Sequence, residues 1–146
     1  MPQLNQAGLD LIEEFEGLSL TAYPDPGSGG EPYTIGYGHT GGVTPGETIT
    51  QEQAEEFLKS DVAGAETSVE NLVEVDLTPN QFAALVSFTF NLGGGALAGS
   101  TLLALVNSKE FDAAAQQFGR WVYADGQELE GLVRRRAAEA KLFLTP

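Results

Sequence analysis

The sequence predicts an α+β protein in which one small β-hairpin sheet accompanies a mainly helical body. Two short runs of β-forming residues flank a Pro/Gly-rich loop at residues 24–32. Helix-capping patterns followed by apolar residues at helical spacing recur along most of the remaining chain. A length of 146 residues is enough for one domain with its own core. We therefore expect a single domain over residues 1–146, with a sheet lobe at about 17–50 and a helical body at about 51–146 together with the N-terminal helix.

The first predicted elements are a helix and a hairpin. Apolar residues and glycine recur at helical spacing from Leu4 to Phe15, and Gly17 is placed to end that helix. The runs LSLTAY (18–23) and YTIGYG (33–38) are rich in β-forming residues, so they predict two antiparallel strands joined by a long loop. The segment that follows, GGVTPGE, predicts irregular structure.

Five helices are expected after the hairpin. They cover about 50–73, 79–92, 101–107, 111–118 and 132–143, and the second is expected to end at the glycines 93–95. Thr50 and Gln53 form a capping-box pattern at the start of the first. Thr78 and Gln81 repeat it at the second, where a proline follows the cap. Ser100 can cap the third, and Gly131 precedes the last.

Composition excludes several classes of function. The chain has 7 Lys+Arg, 21 Asp+Glu and a formal net charge of −14, which argues against nucleic acid and anionic membrane surfaces as partners. It has no cysteine and a single histidine, and no phosphate-binding glycine motif, so we expect neither a metal nor another cofactor. Residues 77–108 carry no charge, but polar residues and glycines interrupt them, so two core helices are favoured over a membrane span. The N-terminus has no export-signal pattern.

The basic residues are concentrated near the C-terminus. No Lys or Arg precedes Lys59, whereas the run Arg134–Arg136 lies close to the chain end. A solvated acidic surface accounts for most of the acids. For the arginine run, however, the asymmetry favours partners inside the protein.

Glu16 and Asp25 are the candidate pair for chemistry. Glu16 is expected in the last turn of the first helix, where the unpaired carbonyls favour the protonated acid that a general acid requires. Asp25 opens the loop, where solvent keeps it ionised, and Thr34 begins the return strand. Two carboxyls in contrasting environments are typical of glycoside hydrolysis. By this pattern alone, a plain solvent carboxylate at the helix end remains an alternative for Glu16. For His39, a buried structural imidazole bound to a carboxylate is favoured over a catalytic one.

These residues carry a resemblance to a known family. The segment FEGLSLTAYPDPGSGGEPYTIGYGHTGG is similar to the active-site hairpin of phage-type lysozymes, glycoside hydrolase family 24. The segment QFAALVSFTFNLGGGALAGSTLLALVN resembles the family's central helices, and the chain from Trp121 through GLVRRRAAE resembles its closing segment. The resemblance extends from about Leu9 to Leu142 in the family's order. It implies a lysozyme-like fold with the active-site cleft between sheet lobe and helical lobe.

The resemblance also implies an activity and a set of site residues. The activity is hydrolysis of the β-1,4 bond between N-acetylmuramic acid and N-acetylglucosamine in peptidoglycan. Glu16 matches the general acid, Asp25 the residue that acts at the anomeric carbon, and Thr34 the residue that holds the attacking water. The expected sugar contacts are Thr40, Phe90, Asn91 and Ser100. His39 matches a structural histidine whose partner is Asp61, and Arg135 is the tail arginine expected to pair with Glu16.

Two features depart from the family, and two other functions are weighed. The loop between Asp25 and Thr34 is longer than in the shortest family hairpins, and the chain is acidic where many members are basic. A silent peptidoglycan-binding module has no need of an acid at a helix end, and a lytic transglycosylase has no need of Asp25 with Thr34.

We expect a monomer without stable membrane insertion that accumulates in the cytoplasm of an infected bacterium. Family habit adds a pore-forming lysis protein that releases it to the wall.

Overall fold

The structure is a computed structural model that describes residues 3–25 and 28–146. Within those residues the elements, in chain order, are α1 (Gln6–Glu16), β1 (Ser19–Tyr23), β2 (Thr34–Gly36), α2 (Gln51–Leu72), α3 (Pro79–Leu92), α4 (Gly94–Ala98), α5 (Thr101–Asn107), α6 (Phe111–Gln117), a 3₁₀ turn (Phe118–Arg120), β3 (Tyr123–Ala124), β4 (Gln127–Glu128) and α7 (Glu130–Leu144). This combination of helices with small antiparallel hairpins confirms the predicted α+β class.

The predicted hairpin is present. Strand β1 pairs antiparallel with β2, and the register places Ser19 opposite Gly36 and Tyr23 opposite Thr34. The chain at 47–49 extends this sheet, because Ala22 N–H donates to the carbonyl of Glu47 at 2.9 Å and a second backbone bond lies two residues along. The hairpin therefore has a fixed register, and the loop at its end begins directly after β1.

Both predicted capping boxes form. At α2, the hydroxyl of Thr50 accepts from the N–H of Gln53 at 3.1 Å, and the Gln53 side chain accepts from the Thr50 N–H at 2.9 Å. At α3, Thr78 and Gln81 make the same reciprocal pair, with proline in the first turn. Each box satisfies two backbone N–H groups that a helix start leaves without partners.

The core of the larger part of the protein is built around α3. All eight residues from Phe82 to Thr89 are buried, and α7 packs against this helix. The chain ends meet beside it: Asn80 accepts from the side chain of Asn5 at 3.0 Å and donates to the carbonyl of Thr145 at 3.2 Å. A helical segment that is buried on every side needs an almost wholly apolar sequence, which accounts for the absence of charge from Phe82 to Thr89.

Three features differ from the sequence predictions. The short helix α4 follows Gly93 where only a glycine turn was expected, and α7 begins before Gly131 rather than after it. The hairpin of β3 and β4 was missed. Its turn is formed by Asp125 and Gly126, both at positive φ (52° and 77°), which is the combination a tight two-residue hairpin turn needs.

The chain divides into two compact units. One consists of the chain up to Phe15 together with Gly64–Pro146, and the other of Glu16–Ala63. The single-domain organisation and the cleft expected from the sequence stay predictions. Of the helices in the described residues, none is long and apolar enough to cross a membrane.

Candidate active site

Glu16 is the last residue of α1, and its carboxylate lies close to the backbone of Gly38. A β-carbon at Gly38 would be 3.1 Å from Oε1 of Glu16, and the φ of Gly38 is +82°. A side chain at this position would therefore be strained and would also crowd the carboxylate. Glycine at position 38 thus allows the candidate acid to lie directly against the loop after β2.

That loop is a tight turn closed by backbone hydrogen bonds. Ile35 N–H donates to the carbonyl of His39, and His39 N–H donates to the carbonyl of Ile35, both at 2.9 Å. Ile35 is fully buried, whereas Thr40 just beyond the turn is exposed. The GYGH run therefore anchors the turn in the core on one side and exposes polar groups on the other.

Asp25 organises the loop between the strands. Its Oδ2 accepts from the N–H of Ser28 at 3.0 Å, its own N–H donates to the carbonyl of Gly30, and its carbonyl accepts from Gly29. Residues 26 and 27, at the start of the loop segment expected to differ in shape, lie outside the described residues. This network fixes the backbone of Asp25 at the end of β1.

Thr34 lies at the same end of the hairpin as Asp25. Thr34 is the first residue of β2 and is partly exposed. It pairs with Tyr23, and Tyr23 precedes Asp25 by two residues along the chain. Thr40 lines a shallow cavity of about 470 Å³, whose other walls are Glu31, Pro32, Tyr33, Gly42 and Val43. Glu16, Asp25, Thr34 and Thr40 all belong to the Glu16–Ala63 unit.

His39 makes the predicted pair with Asp61. Its Nδ1 lies 2.8 Å from Oδ2 of Asp61, its Nε2 lies 2.9 Å from the carbonyl oxygen of Gly41, and its ring stacks on Phe57 with centroids 4.3 Å apart. The side chain is 18% exposed, so it is less buried than predicted. Nδ1 thereby holds the loop against α2, and Nε2 holds two positions of the loop together.

Replacing His39 with alanine is expected to destabilise the protein without removing its chemistry. The carboxylate of Asp61 and the carbonyl of Gly41 would lose their partner, at a cost of about 1–3 kcal/mol in the free energy of unfolding. Urea denaturation measures this loss, and activity per folded molecule at low temperature measures the chemistry.

Asp61→Asn gives the matched comparison. Because the two side chains contact each other, the double variant should lose less stability than the two single variants together. Lost activity with an unchanged melting temperature would instead make His39 catalytic.

The other predicted sugar contacts lie in the larger unit. Phe90 and Asn91 are partly exposed near the end of α3. Ser100 is the N-cap of α5: its hydroxyl donates to the carbonyl of Leu97 at 2.7 Å and accepts from the N–H of Leu103 at 3.0 Å. The structure therefore gives Ser100 a helix-capping role, and its contact with a sugar stays a prediction.

The arginine run pairs with acids of its own helix. Exposed Arg134 lies 3.8 Å from Glu130, whereas Arg135 and Arg136 are buried and both contact Glu139. Arg135 also donates to the carbonyl of Ser87 at 3.3 Å. The prediction of internal partners is confirmed for Arg135 and Arg136 but not for Arg134, and the pairing of Arg135 with Glu16 stays a prediction. We call Ser87, Arg135, Arg136 and Glu139 the buried Arg–Glu cluster.

Burial dominates the electrostatics of this cluster. It raises the pKa of Glu139, because an ionised carboxylate is poorly solvated there, while Arg136, the Ser87 hydroxyl and Arg135 act in the opposite direction. Burial likewise lowers the pKa of Arg136, and Glu139 opposes that change. A guanidinium remains protonated under such conditions, so the cluster holds two cations around one carboxyl group.

Sequence reasoning missed the cluster and the role of Gly38. Arg135 and Arg136 precede Glu139 by four and three residues, which is the spacing of neighbours on one face of a helix. That spacing was a usable signal for the Arg–Glu contacts. The approach of Glu16 to Gly38 had no such sequence signal, because it depends on how the hairpin folds back after β2.

Among the described residues, no three Asp, Glu or His side chains are grouped closely enough to hold a metal ion.

Comparison with known proteins identifies relatives of this chain. A family model described as phage lysozyme matches residues 13–139. The endolysin of Bacillus phage B103 is 46% identical over 143 residues, which cover 97% of this chain and 54% of that protein. The endolysin of Salmonella phage P22 is 43% identical over 150 residues. That alignment covers 99% of this chain and 100% of the P22 protein. The chain thus spans about half the length of the Bacillus phage relatives and the full length of the Salmonella phage one.

Solved structures agree with the sequence relatives. The muramidase domain of SpmX from Asticaccaulis excentricus superposes with a TM-score of 0.91 at 41% identity, and both chains are covered over 100% of their length. The match therefore includes Glu16 at the end of α1, the hairpin with Asp25 and Thr34, and the helices that follow it. By its sequence and its fold, this chain belongs to the phage lysozyme family.

Proposed function

We propose that this protein is a peptidoglycan hydrolase that cleaves the β-1,4 bond between N-acetylmuramic acid and N-acetylglucosamine. Membership of the phage lysozyme family supports this activity. The muramidase domain named among the solved structures and the phage endolysins among the relatives support it further.

Each residue of the hairpin has a distinct role in this mechanism. Glu16 donates a proton to the oxygen of the leaving sugar, which is the general-acid step. Asp25 acts at the anomeric carbon, where it activates the water or stabilises the positive charge that develops there. Thr34 holds that water through its hydroxyl.

The observation that carries the proposal is the arrangement of the hairpin unit. Glu16 lies against Gly38 beside one end of the hairpin, and Asp25 with Thr34 occupies the other end. Asp25 is held in place by the backbone of its own loop, so that its position does not depend on substrate. The paired carboxyl groups that a glycosidase needs thus come from segments with defined backbone geometry.

Purified peptidoglycan provides the test of this proposal. Loss of turbidity together with newly formed reducing sugar ends is the expected result, and mass spectrometry of the products identifies the reaction. Products with ordinary reducing ends support hydrolysis, whereas anhydro-sugar ends would identify a lytic transglycosylase. Binding to peptidoglycan without any cleavage would identify a silent binding module.

The acidic charge predicts an unusual response to salt. With a formal net charge of −14, the electrostatic field of the whole protein repels an anionic cell wall and so opposes their encounter. Salt shortens the Debye length from about 30 Å at 0.01 M to about 10 Å at 0.1 M, which screens this repulsion. We expect the rate of wall lysis, measured as turbidity loss, to stay flat or rise over this range.

A basic lysozyme assayed beside it is the control, because salt weakens its attraction to the wall and its rate should fall. A steep fall in the rate of the acidic protein, with the protein still folded, would contradict the prediction. It would mean that a local patch of arginines dominates the encounter.

The place of action and the partners follow from the same function. We propose that the protein works as a monomer with a single lysozyme-like domain. It accumulates in the cytoplasm of an infected bacterium and acts on the wall after a pore-forming lysis protein releases it. Fractionation of host cells before and after membrane permeabilisation tests this order of events.

A further inference from the structure

Asn91, one of the expected sugar contacts, has a side chain whose orientation is set by an arginine. It lies one residue before the end of α3 and is partly exposed. Its Oδ1 accepts a hydrogen bond from Nη2 of Arg136 at 2.7 Å. Since a guanidinium offers only donors, the amide must turn its oxygen toward Arg136 and its NH₂ group away from it.

Arg136 is itself held in one position. Its side chain is fully buried, its Nε lies 2.8 Å from Oε1 of Glu139, and its Nη2 lies 3.3 Å from Oε2 of the same carboxyl group. The guanidinium carbon also lies 5.3 Å from the centre of the Phe88 ring. Rotation of the guanidinium would break these contacts in an interior that water does not reach.

Glu139 is anchored in turn by the rest of the buried Arg–Glu cluster. Its Oε2 accepts from the hydroxyl of Ser87 at 2.5 Å and from Nε of Arg135 at 3.4 Å. Ser87 lies on α3, one turn before Asn91, so the same helix supplies both ends of this chain of contacts. The amide of Asn91 is therefore oriented by groups that substrate does not touch.

We propose that Arg136 is a positioning residue that turns the amide NH₂ group of Asn91 outward, so that Asn91 binds the glycan as a hydrogen-bond donor. This inference rests on the proposed function. It adds which partner donates and which accepts the hydrogen bond between Asn91 and the glycan. The glycan atom bound by Asn91 must be an acceptor oxygen. Two groups of acceptors are distinguishable: those that both sugars carry, the acetamido carbonyl and the hydroxyl oxygens, and the lactyl carboxylate, which only N-acetylmuramic acid carries.

Asn91→Asp tests the polarity with almost no change of shape. An aspartate oxygen can still accept from Arg136, so the melting temperature should not fall, but the two donors are lost. We expect KM for soluble glycan fragments to rise about tenfold or more, with kcat changed far less. Asn71→Asp is the matched control, because Asn71 is an exposed residue of α2 and the change in net charge is the same.

The glycan used distinguishes the two groups of acceptors. Oligomers of N-acetylglucosamine alone lack the lactyl group, so impaired binding of these by Asn91→Asp identifies an acceptor that both sugars carry, the acetamido carbonyl or a hydroxyl oxygen. Impaired binding only of alternating N-acetylmuramic acid oligomers identifies the lactyl carboxylate. The inference would be overturned if Asn91→Asp matched the Asn71→Asp control both in KM on alternating oligomers and in Kd for N-acetylglucosamine oligomers.

Arg136→Lys tests the positioning role separately. Lysine keeps the positive charge but lacks the forked group that contacts Glu139 and Asn91 together. We expect a raised KM in the folded protein, and an unchanged KM would show that Arg136 does not act through Asn91. If this variant does not fold, Asn91→Asp still decides the polarity. The wild-type protein is assayed first, since absence of cleavage there would refute the proposed function rather than this inference.

Discussion

Replacing Glu16 with glutamine is expected to reduce the rate of peptidoglycan hydrolysis by about 10²–10⁴-fold, the usual contribution of a general acid. Glutamine has nearly the same shape but has no proton to give to the leaving sugar. Because Glu16 is the last residue of α1 and is partly exposed, the fold should be retained. Reducing ends released from purified peptidoglycan measure the rate, and circular dichroism measures the fold.

Glu14→Gln is the matched control for this variant. Glu14 is an exposed residue of the same helix, so its replacement removes the same charge without touching the hairpin. The control should keep the wild-type rate. A folded Glu16→Gln protein with a rate close to that of Glu14→Gln would remove Glu16 from the mechanism.

Replacing Glu139 with glutamine is expected to lower the free energy of unfolding by about 3–5 kcal/mol, as removal of one partner from a buried ion pair does. Glu139 is fully buried and lies within ion-pair distance of both Arg135 and Arg136, so its replacement removes the carboxyl group that both guanidinium groups contact. The Ser87 hydroxyl would also lose a charged acceptor. Urea denaturation followed by circular dichroism measures the loss.

Glu130→Gln provides the comparison within the same helix. Glu130 and Arg134 form an i,i+4 pair at 3.8 Å with both side chains mostly exposed, so this change should cost about 0.5 kcal/mol or less. A loss for Glu139→Gln as small as the loss for Glu130→Gln would contradict a stabilising role of the buried Arg–Glu cluster.

The sequence predicted most reliably those features that depend on neighbours along the chain. Both capping boxes join residues three positions apart, which is why Thr50 with Gln53 and Thr78 with Gln81 are recognisable from the sequence alone. The pairing of His39 with Asp61 spans 22 residues and came from resemblance to a family rather than from pattern. Local chemistry and resemblance therefore contributed different parts of the candidate site.

Some errors had a local cause as well. The hairpin turn at Asp125 and Gly126 was missed although Asp-Gly is a strong hairpin signal, because the flanking strands are only two residues long. Gly131 suggests a helix boundary in the sequence, but one glycine in the first turn of a helix costs too little to stop it.

The sequence by itself determined the α+β class, the hairpin with its candidate acid and the family to which the chain belongs. Only the tertiary structure decided which residues of α3 contact the arginines and Glu139 of α7, and how Asn91 is oriented. The contacts of Arg136 with Asn91 and of Ser87 with Glu139 span 45 and 52 residues. Such contacts exist only once α3 and α7 pack together, because burial is what makes an unpaired charge costly enough to select one arrangement. The sequence supplies the residue types that can make these contacts, and the packing of the interior decides which of them contact each other.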